Sequence, residues 1–483
     1  MIPTNLVFIM SDEHNRRVLG CQGHPMILTP NLDRLAANGV RFTDAYCNSP
    51  ICVPSRASFA TGRYVHQIRF WDNAIPYDGS VPSWGHRLSA AGHYAVSIGK
   101  LHFRSAEDRN GFAEEIMPLH VVGGVGDLLG LIREDAPRRL SALKLAEEAG
   151  PGDSSYQAYD DHITEAAIAW IRERALHQGG KPWVLFVSFV CPHFPLIARP
   201  EWYNLYPEDA VPWPAQYAEA ERPNHPFIAA MRKISIYDEA FDERKVRRAI
   251  AAYFGLVSFL DHNIGRITNA IAESGLGPRT RVIYTSDHGD NLGARGLWGK
   301  SNMYEDSVGV PMLMAGPEIP RGHVCHDPVS LVDGFPTILE CVGAPRDPAD
   351  HEMPGTSLFD LMRGHTPKRN VFSEYHASSS VTGAFMIRKG TLKYIAYSGM
   401  PPQLFDLADD PWEVRDLARE PGYAGLVADC DATLRRTVNP EIVDRLARSD
   451  QKSRIEAHGG REAIIARGTF AYSPVPGTKP AYT

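Results

Sequence analysis

Cys52 stands in a sequence setting that could prepare a thiol for chemistry, because a proline follows two residues later and an arginine four residues later. Pro54 stiffens the chain and removes a backbone donor, and Arg56 brings a permanent cation near the sulfur. Two interpretations are open for a single cysteine of this kind. It is either a reactive residue or a small buried hydrophobe, which is the usual state of a free cysteine.

Four predicted strands end in residues that carry charge or exchange protons. Those residues are Ser11-Asp12-Glu13-His14, Gly99-Lys100-Leu101-His102, Cys191-Pro192-His193 and Ser286-Asp287-His288-Gly289-Asp290. Ligands of open α/β sheets bind at the carboxyl ends of the strands. One polar strand end is common in any loop, but four of them at one sheet edge indicate a functional site.

Asp12, Asp287 and His288 form a candidate ligand set for one divalent metal ion. Two carboxylates and an imidazole suit Mn²⁺ or Ca²⁺ better than a soft metal. Taken singly, Asp12 could cap a helix and Asp287 could belong to a turn; their pairing at adjoining strand ends favours the metal. Glu13 and Asp290 are further candidate ligands or solvated charges, and the solvated interpretation is favoured for Asp290.

The same sheet edge is expected to carry positive charge and proton donors, which are supplied by Lys100, His102, His193 and Lys300. Such a cluster suits an anionic substrate whose negative charge grows on the leaving oxygen. Taken singly, Lys300 could be a surface lysine and His193 a hydrogen-bonded histidine beside Pro192.

Short apolar runs alternate with helical patterns, which predicts an α/β fold. Buried parallel strands are predicted at residues 6–10, 94–98, 183–190, 281–285 and 310–314, and helices at 31–38, 162–174 and 248–274. Together they predict a large mixed, mostly parallel central sheet with helices on both faces.

The pattern changes near residue 367 to short runs at 371–375, 384–388, 392–397 and 403–407. These runs predict a smaller antiparallel sheet with a hairpin turn at 388–391. The predicted division is therefore a catalytic α/β domain at 1–366 and a C-terminal subdomain at 367–483. Residues 439–483 are interpreted as one or two charged helices and a Pro/Gly-rich tail that is either frayed or docked on a partner chain.

Composition narrows the class of protein. The 483 residues carry a net charge of −7 with mixed signs, which gives no basic footprint for nucleic acid. No apolar run approaches membrane-spanning length, and the N-terminus lacks the basic region of a signal peptide, so we expect a cytoplasmic protein. Seven widely spread cysteines without a CxxC pair argue against a disulfide framework or a structural zinc site.

Taken together, these motifs resemble those of the sulfatase family, within the alkaline-phosphatase-like superfamily. Five landmarks occur in the family's order: Cys52-Val53-Pro54-Ser55-Arg56 with Thr61-Gly62, Gly99-Lys100-Leu101-His102, Thr285-Ser286-Asp287-His288-Gly289, Leu331-Val332-Asp333-Gly334-Phe335-Pro336-Thr337, and Gln403-Leu404-Phe405-Asp406-Leu407 with Asp410-Pro411-Trp412-Glu413. The pentapeptide alone is moderately specific, whereas all five landmarks in sequence are highly specific.

The resemblance implies that Cys52 is oxidised to formylglycine by a formylglycine-generating enzyme. In the family, the aldehyde hydrate attacks sulfur or phosphorus and displaces the alcohol, and the resulting hemiacetal ester then collapses. The implied metal ligands are Asp12, Glu13, Cys52, Asp287 and His288. The implied catalytic residues besides Cys52 are Arg56 and Lys100 at the nucleophile, His102 as the base of the collapse, and His193 and Lys300 at the sulfate oxygens and the leaving group.

Two departures from the commonest family pattern resemble the branch that contains choline sulfatases and phosphonate monoester hydrolases. Asp12-Glu13 replaces two successive aspartates, and Asp287-His288 replaces an Asp-Asn pair; Asp72-Asn73 also resembles that branch. The branch makes manganese an alternative to calcium, and its C-terminal arm implies a homodimer or homotetramer. Choline would need a cage of aromatic or acidic side chains for its ammonium group, and residues 107–133 and 202–242, the segments expected to supply it, show no clear choline pattern.

The leading hypothesis is a metal-dependent sulfatase that hydrolyses small aryl or alkyl sulfate monoesters. The alternative is a phosphonate monoester or phosphodiester hydrolase with the same apparatus. Two weaker hypotheses are a silent binding protein that keeps the fold and an enzyme with a plain thiolate at Cys52, activated by Arg56 and Lys100.

Overall fold

An eight-stranded sheet forms the centre of the protein. The computed structural model describes residues 2–177, 179–364, 369–480 and 482. In chain order, the strands of this sheet are β1 (Asn5–Asp12), β2 (Gly39–Phe42), β3 (Ala95–Lys100), β4 (Glu114–Leu119), β5 (Val184–Pro192), β6 (Thr280–Ser286), β7 (Met312–Ala315) and β8 (His323–Cys325). Their spatial order is β8-β2-β7-β6-β1-β5-β3-β4. Because β1 runs parallel to β5 and β6, three carboxyl ends meet at the middle of one sheet edge.

Helices of very different length connect these strands and continue to the C-terminus. They are α1 (Pro30–Ala37), α2 (Cys52–Thr61), α3 (Val65–Ile68), α4 (Trp84–Ala90), α5 (Ser141–Glu148), α6 (Ser155–Leu176), α7 (Pro200–Tyr203), α8 (Pro226–Ser235), α9 (Tyr237–Ala240), α10 (Glu243–Glu273), α11 (Glu305–Val308), α12 (Gly334–Val342), α13 (Leu358–Met362), α14 (Ala424–Thr437), α15 (Pro440–Ala457) and α16 (Gly460–Arg467). Short 3-10 helices lie at Gly20–Gln22, Val122–Gly124, Leu128–Leu131, Glu219–Glu221, Gly277–Arg279, Ala294–Gly296, Leu331–Asp333, Pro348–Asp350, Leu417–Arg419 and Pro421–Tyr423. In the part of the chain that the structure describes, no helix has both the length and the apolar character needed to cross a membrane.

Both faces of the central sheet are buried. Successive side chains of a strand point to opposite faces, and β1 divides accordingly: Val7 and Ile9 lie in one hydrophobic core, and Phe8 and Met10 in the other. The first core includes residues of α6 and α10, and the second includes residues of α2 and α12. The predicted sheet with helices on both faces is confirmed.

Four of the five predicted central strands are present within one or two residues of the expected bounds, and the fifth prediction is wrong. Residues 310–314 do not form one parallel strand, because Pro311 has no backbone N–H and interrupts the run. Gly309–Val310 joins a small sheet with Ala45–Tyr46 and Val329–Ser330, whereas β7 runs antiparallel to β6 and β2. A further pair of two-residue strands joins Gly150–Pro151 to Ile197–Ala198.

The predicted helices are present, but α6 and α10 begin earlier than predicted. Each begins after a side chain that caps its first turn, an effect that hydrophobic periodicity does not reveal. Ser154 accepts a hydrogen bond from the backbone N–H of Gln157, and Asp242 accepts one from the backbone N–H of Lys245.

The predicted small antiparallel sheet is also confirmed, as β9 (Asn370–Tyr375), β10 (Ala384–Lys389), β11 (Leu392–Tyr397) and β12 (Met400–Asp406). The predicted domain boundary between 366 and 367 falls outside the described residues, so this division stays a prediction. The C-terminal helices α15 and α16 pack against Leu128–Leu131 of their own chain. The oligomeric state also stays a prediction.

Candidate active site

Two strand ends and the start of one helix bring five candidate residues to one buried place. Strand β1 ends at Asp12 and is followed by Glu13, and strand β6 is followed by Asp287 and His288. Cys52, the first residue of α2, lies beside them. All five side chains are buried.

Helix α2 presents Cys52 at its N-terminus, where the positive end of the helix dipole favours negative charge. All ten residues of this helix are buried, so its position is fixed by packing. Asn73 Oδ1 accepts a hydrogen bond from the Val53 N–H at 3.1 Å, and Ser55 Oγ donates to the Asp287 carbonyl at 2.6 Å. The first turn of α2 is thereby tied to the metal-ligand candidates.

Four ligand atoms, from Asp12, Cys52, Asp287 and His288, lie within 4.8 Å of one another. His288 Nε2 is 3.2 Å from Cys52 Sγ, 3.5 Å from Asp12 Oδ1 and 3.6 Å from Asp287 Oδ1. His288 Nδ1 lies 3.1 Å from the Gly289 carbonyl, which can only accept, so Nδ1 carries the proton and the Nε2 lone pair faces the other three groups. Since metal-ligating histidines are usually oriented in this way, the arrangement fits a divalent cation.

Arg56 and Lys100 hold the two carboxylates of this group. Arg56 donates through Nε to Asp287 Oδ2 at 2.7 Å and through Nη1 to the Lys100 carbonyl and Ser188 Oγ, both at 2.8 Å. The Lys100 ammonium forms a short ion pair with Asp12. Two cations therefore neutralise two buried carboxylates and fix where those carboxylates point.

Glu13, His193 and Lys300 form a second contact set beside the first. Lys300 Nζ donates to Glu13 Oε2 at 2.9 Å and to His193 Nε2 at 2.7 Å, and His193 Nδ1 donates to the Phe194 carbonyl at 2.7 Å. Burial lowers the pKa of His193 well below its ordinary value, and the Lys300 charge adds to this effect. The proton of the pair therefore resides on Lys300. Asp12, Glu13 and His193 also offer three ligand atoms within 4.8 Å of one another.

Burial also changes the ionisation of Cys52 and Glu13. It raises the pKa of the Cys52 thiol to about 12, and the neighbouring Asp12 carboxylate adds to the rise. Burial raises the pKa of Glu13 to about 8, against the opposing charge of Lys300. The surrounding side chains alone therefore favour the protonated form of the unmodified thiol at neutral pH.

A cavity of about 160 Å³ opens beside Cys52 and provides room for a small substrate. Its walls include Cys52, Lys100, His102, His193 and Lys300. The remaining lining comes from several segments, with Asp72, Asn73, Asp127, Arg139, Ser141, Tyr156, Phe194, Met231, Ser235, Tyr237, Ser378, Phe470, Tyr472 and Ser473 among them. The segments 107–133 and 202–242, expected to supply any cage for choline, contribute Asp127, Gly130, Met231, Ser235 and Tyr237.

Asp290 differs from its prediction. The favoured interpretation as a solvated charge is wrong, because this side chain is only 2% exposed. Its Oδ1 accepts hydrogen bonds from the backbone N–H groups of Leu292 and Gly299, at 2.7 and 3.2 Å. Asp290 therefore holds the loop that carries Lys300, and it lies outside both ligand groups.

Three side chains that contact the site were not predicted in that role from the sequence: Ser188, Asn73 as a helix partner, and Ser473. Ser188 had a local signal, since it is the polar residue inside the apolar run of β5. Asn73 contacts Val53 across 20 residues of sequence, and Ser473 contacts His102 across 371. Contacts between residues so far apart along the chain leave no periodic pattern that could have identified them.

Comparison with known proteins decides the family. A family model for the sulfatases matches residues 4–344, which is more than half of the chain. The chain belongs to the sulfatase family. A second model, described as the C-terminal part of N-sulphoglucosamine sulphohydrolase, matches residues 293–439. The family predicted from the motifs is thus confirmed, and the protein is a hydrolase of sulfate esters.

Two curated relatives are similar over most of their length. This sulfatase is 32% identical over 437 residues to the choline-sulfatase of Rhizobium meliloti (strain 1021), covering 86% of this chain and 83% of the relative. It is 29% identical to arylsulfatase K of Danio rerio, covering 94% and 87%. Its fold matches the crystal structure of the phosphonate monoester hydrolase of Agrobacterium radiobacter with a TM-score of 0.73 and 24% identity, over 90% of this chain and 96% of that one.

Proposed function

We propose that this sulfatase hydrolyses small aryl or alkyl sulfate monoesters to alcohol and sulfate, through a formylglycine made from Cys52. The observation that carries the proposal is the position of Cys52, whose Sγ lies 3.2 Å from His288 Nε2 and 3.6 Å from Asp12 Oδ1 in the wall of a cavity with room for a small substrate. Lys100 and Lys300 line the same cavity and favour an anionic ester there. The assembled set argues against a silent binding protein.

Formylglycine fits this position better than a plain thiolate. Burial raises the pKa of the Cys52 thiol to about 12, so the side chains around it do not create a thiolate at neutral pH. An aldehyde hydrate supplies two hydroxyl groups on the same carbon: one attacks the ester, and the other re-forms the aldehyde. Conversion of Cys52 requires a formylglycine-generating enzyme as a maturation partner.

The four-residue ligand group fits one divalent cation, with Asp12, Asp287, His288 and the modified residue 52 as ligands. Hard carboxylate oxygens with one imidazole are compatible with manganese and with calcium. Glu13 is the additional candidate ligand, because its Oε1 is buried and has no hydrogen-bond partner among the described residues. Such a cation would polarise the ester and stabilise negative charge on the nucleophile.

The chain's own residues then divide the work between binding and proton transfer. Lys300 and His193 bind the sulfate oxygens, and Lys300 holds the proton that the departing alkoxide needs. His102 takes the proton from the remaining hydroxyl group of the hemiacetal ester, so that the C–O bond to sulfate breaks and the aldehyde returns. Burial lowers the pKa of His102 well below its ordinary value, with Lys100 adding to the effect, which keeps the imidazole neutral for this role.

Hydrolysis of phosphonate monoesters or phosphodiesters is the second candidate function. It is supported by Asp12-Glu13 and Asp287-His288, which resemble the branch containing phosphonate monoester hydrolases. Side-by-side kinetics on an aryl sulfate and the matching aryl phosphonate decide which of the two esters is the preferred substrate. We expect the higher kcat/KM on the sulfate, and a much higher value on the phosphonate would reverse the ranking.

Mass spectrometry across the peptide that contains Cys52 tests the proposed nucleophile directly. The expected mass is that of formylglycine or its hydrate, and Cys52→Ala should abolish sulfate release. Cys47→Ala is the matched control, because Cys47 is also a buried free thiol but belongs to neither ligand group. An unmodified thiol at residue 52 in fully active enzyme would contradict the formylglycine mechanism.

A further inference from the structure

The C-terminal segment 470–473 forms part of the active-site wall of its own chain. Phe470, Tyr472 and Ser473 line the cavity that also contains Cys52 and His102. This segment follows α16, in a stretch where the sequence predicted a tail that is frayed or docked on a partner. Within its own chain, this segment contributes to the wall of the cavity that contains Cys52.

Tyr156 of α6 fastens this segment. The Tyr156 hydroxyl donates to the Ser473 carbonyl at 2.8 Å, and the Tyr472 ring packs edge-on against the Tyr156 ring, with centroids 5.3 Å apart. Tyr156 in turn lies beside His193, with ring centroids 6.1 Å apart. Ser473 is 9% exposed, so its hydroxyl group has little contact with solvent.

The Ser473 hydroxyl contacts one particular nitrogen of His102. Ser473 Oγ lies 2.8 Å from His102 Nε2, whereas the buried Nδ1 has no hydrogen-bond partner among the described residues. A neutral imidazole carries one proton. When Nε2–H donates to Ser473, the lone pair is on Nδ1, and this is the arrangement in which Nδ1 can accept a proton.

We propose that Ser473 is a positioning residue that holds the His102 ring through Nε2, so that Nδ1 can act as the base in collapse of the hemiacetal ester. The inference rests on the proposed function, in which residue 52 carries the sulfate after the alcohol has left. The hemiacetal hydroxyl gives its proton to His102 Nδ1, and its O–H electron pair becomes the second bond of the aldehyde carbonyl. The bond between Cβ and the sulfate oxygen breaks, and the electron pair of this bond leaves with sulfate. The aldehyde is then hydrated again, and His102 releases its proton to solvent.

The test is S473A in the full-length enzyme, assayed with an aryl sulfate whose leaving group is good enough that collapse limits turnover. Because collapse follows departure of the alcohol, a slower collapse lowers kcat and KM together and leaves kcat/KM unchanged. We expect both to fall about tenfold, the effect of losing one hydrogen bond that orients the base. The Cys52 peptide from enzyme quenched during turnover should then carry the added mass of one SO₃ group.

Conservative and remote variants separate positioning from a structural role. S473T keeps the hydroxyl group and should restore kcat. Y156F loosens the segment without removing Ser473 Oγ, and it should lower kcat and KM together by about threefold. S453A, at an exposed serine of α15 whose hydroxyl group donates to the Ser449 backbone carbonyl, should leave both constants unchanged.

The inference is overturned if S473A retains wild-type kcat, or if its kcat/KM falls without a sulfated species. Failure of the proposed function is distinct, since the wild-type enzyme itself would then release no sulfate.

Discussion

His288 Nε2 lies 3.2 Å from Cys52 Sγ, while the opposite ring nitrogen of His288 is held by the Gly289 carbonyl. The imidazole lone pair is therefore directed at the residue proposed as the nucleophile and at two carboxylates. A divalent cation held by this lone pair and the carboxylates would place positive charge at the atom that attacks the ester, without requiring the histidine itself to be charged. Burial lowers the pKa of His288, which keeps this ring neutral and able to act as a ligand.

His288→Ala should remove a ligand and therefore reduce binding of the divalent cation. Loss of a residue that merely orients a ligand costs about 10–100-fold in metal affinity, so loss of the ligand itself should cost at least about tenfold. Metal content after dialysis, measured by inductively coupled plasma mass spectrometry, checks this result. His262→Ala, at an exposed histidine of α10, is the matched control and should retain the wild-type content. Equal metal content in the two variants would remove His288 from the ligand set.

Lys300→Met should slow hydrolysis most for esters with poor leaving groups. Lys300 holds the proton that the departing oxygen needs, and loss of general-acid assistance costs about 10²–10⁴-fold. A series of aryl sulfates with increasing phenol pKa should therefore show a steeper decline of kcat/KM in the variant than in the wild type. Lys452→Ala, at an exposed lysine of α15, should leave the slope unchanged. A uniform loss across the series would instead assign Lys300 to sulfate binding alone.

Much of the site could be predicted because the chemistry follows strands that are easy to recognise. Asp12, Lys100 and Asp287 occur at or just after the ends of apolar runs, and parallel strands bring such ends to one sheet edge. Local sequence also placed Cys52 before a proline and an arginine. Predicting that these residues share one site requires only the approximate order of the strands, and the apolar runs provide that order.

The remainder depended on packing between segments that are distant in sequence. Ser473 reaches His102 only after the C-terminal helices fold back over Leu128–Leu131. Asp290 is charged and lies in a loop, which favoured solvent exposure, but it is buried because two backbone N–H groups of the Lys300 loop need an acceptor. Neither relationship is encoded by periodicity or by a short motif.

The cluster of His66, Glu374 and His376 should make stability depend on pH. Burial raises the pKa of Glu374, but the two histidines outweigh burial and lower it from 4.5 to about 2. Because the folded state binds the proton more weakly than the unfolded state, this stability is present above pH 4.5 and is lost as pH falls towards about 2. The shift corresponds to about 3 kcal/mol.

His66 changes in the opposite sense. Burial lowers its pKa, yet the Glu374 carboxylate outweighs burial and raises it above 6.5, so this stability is present below pH 6.5 and is lost as pH rises through the raised value. Urea unfolding of wild type and Glu374→Gln should therefore differ most between about pH 4.5 and 6.5. Glu462→Gln, at an exposed carboxylate of α16, should show no such window. A difference between wild type and E374Q that does not vary with pH would exclude ionisation as its cause.

Lys393 of β11 should be a main contributor to the attachment of the small sheet to the catalytic part of the chain. Its Nζ lies 2.9 Å from Glu305 Oε1 and 2.7 Å from Glu413 Oε1, and all three side chains are buried. Removing one partner of a buried ion pair leaves charge uncompensated and costs about 3–5 kcal/mol. Lys393→Met should therefore lower the free energy of unfolding in urea by about that amount.

Lys389 of β10 provides the matched comparison, since it forms an ion pair with Asp429 near the surface. Surface pairs contribute about 0–1 kcal/mol, so Lys389→Met should be nearly neutral. Equal losses in the two lysine variants would show that Lys393 stabilises β11 through strand packing instead of charge. A much larger loss at Lys393 would assign the Glu413 landmark, which is not among the residues that line the cavity, a structural role, because its carboxylate contacts Lys393 of the small sheet as well as Arg295 and the backbone N–H of Glu305.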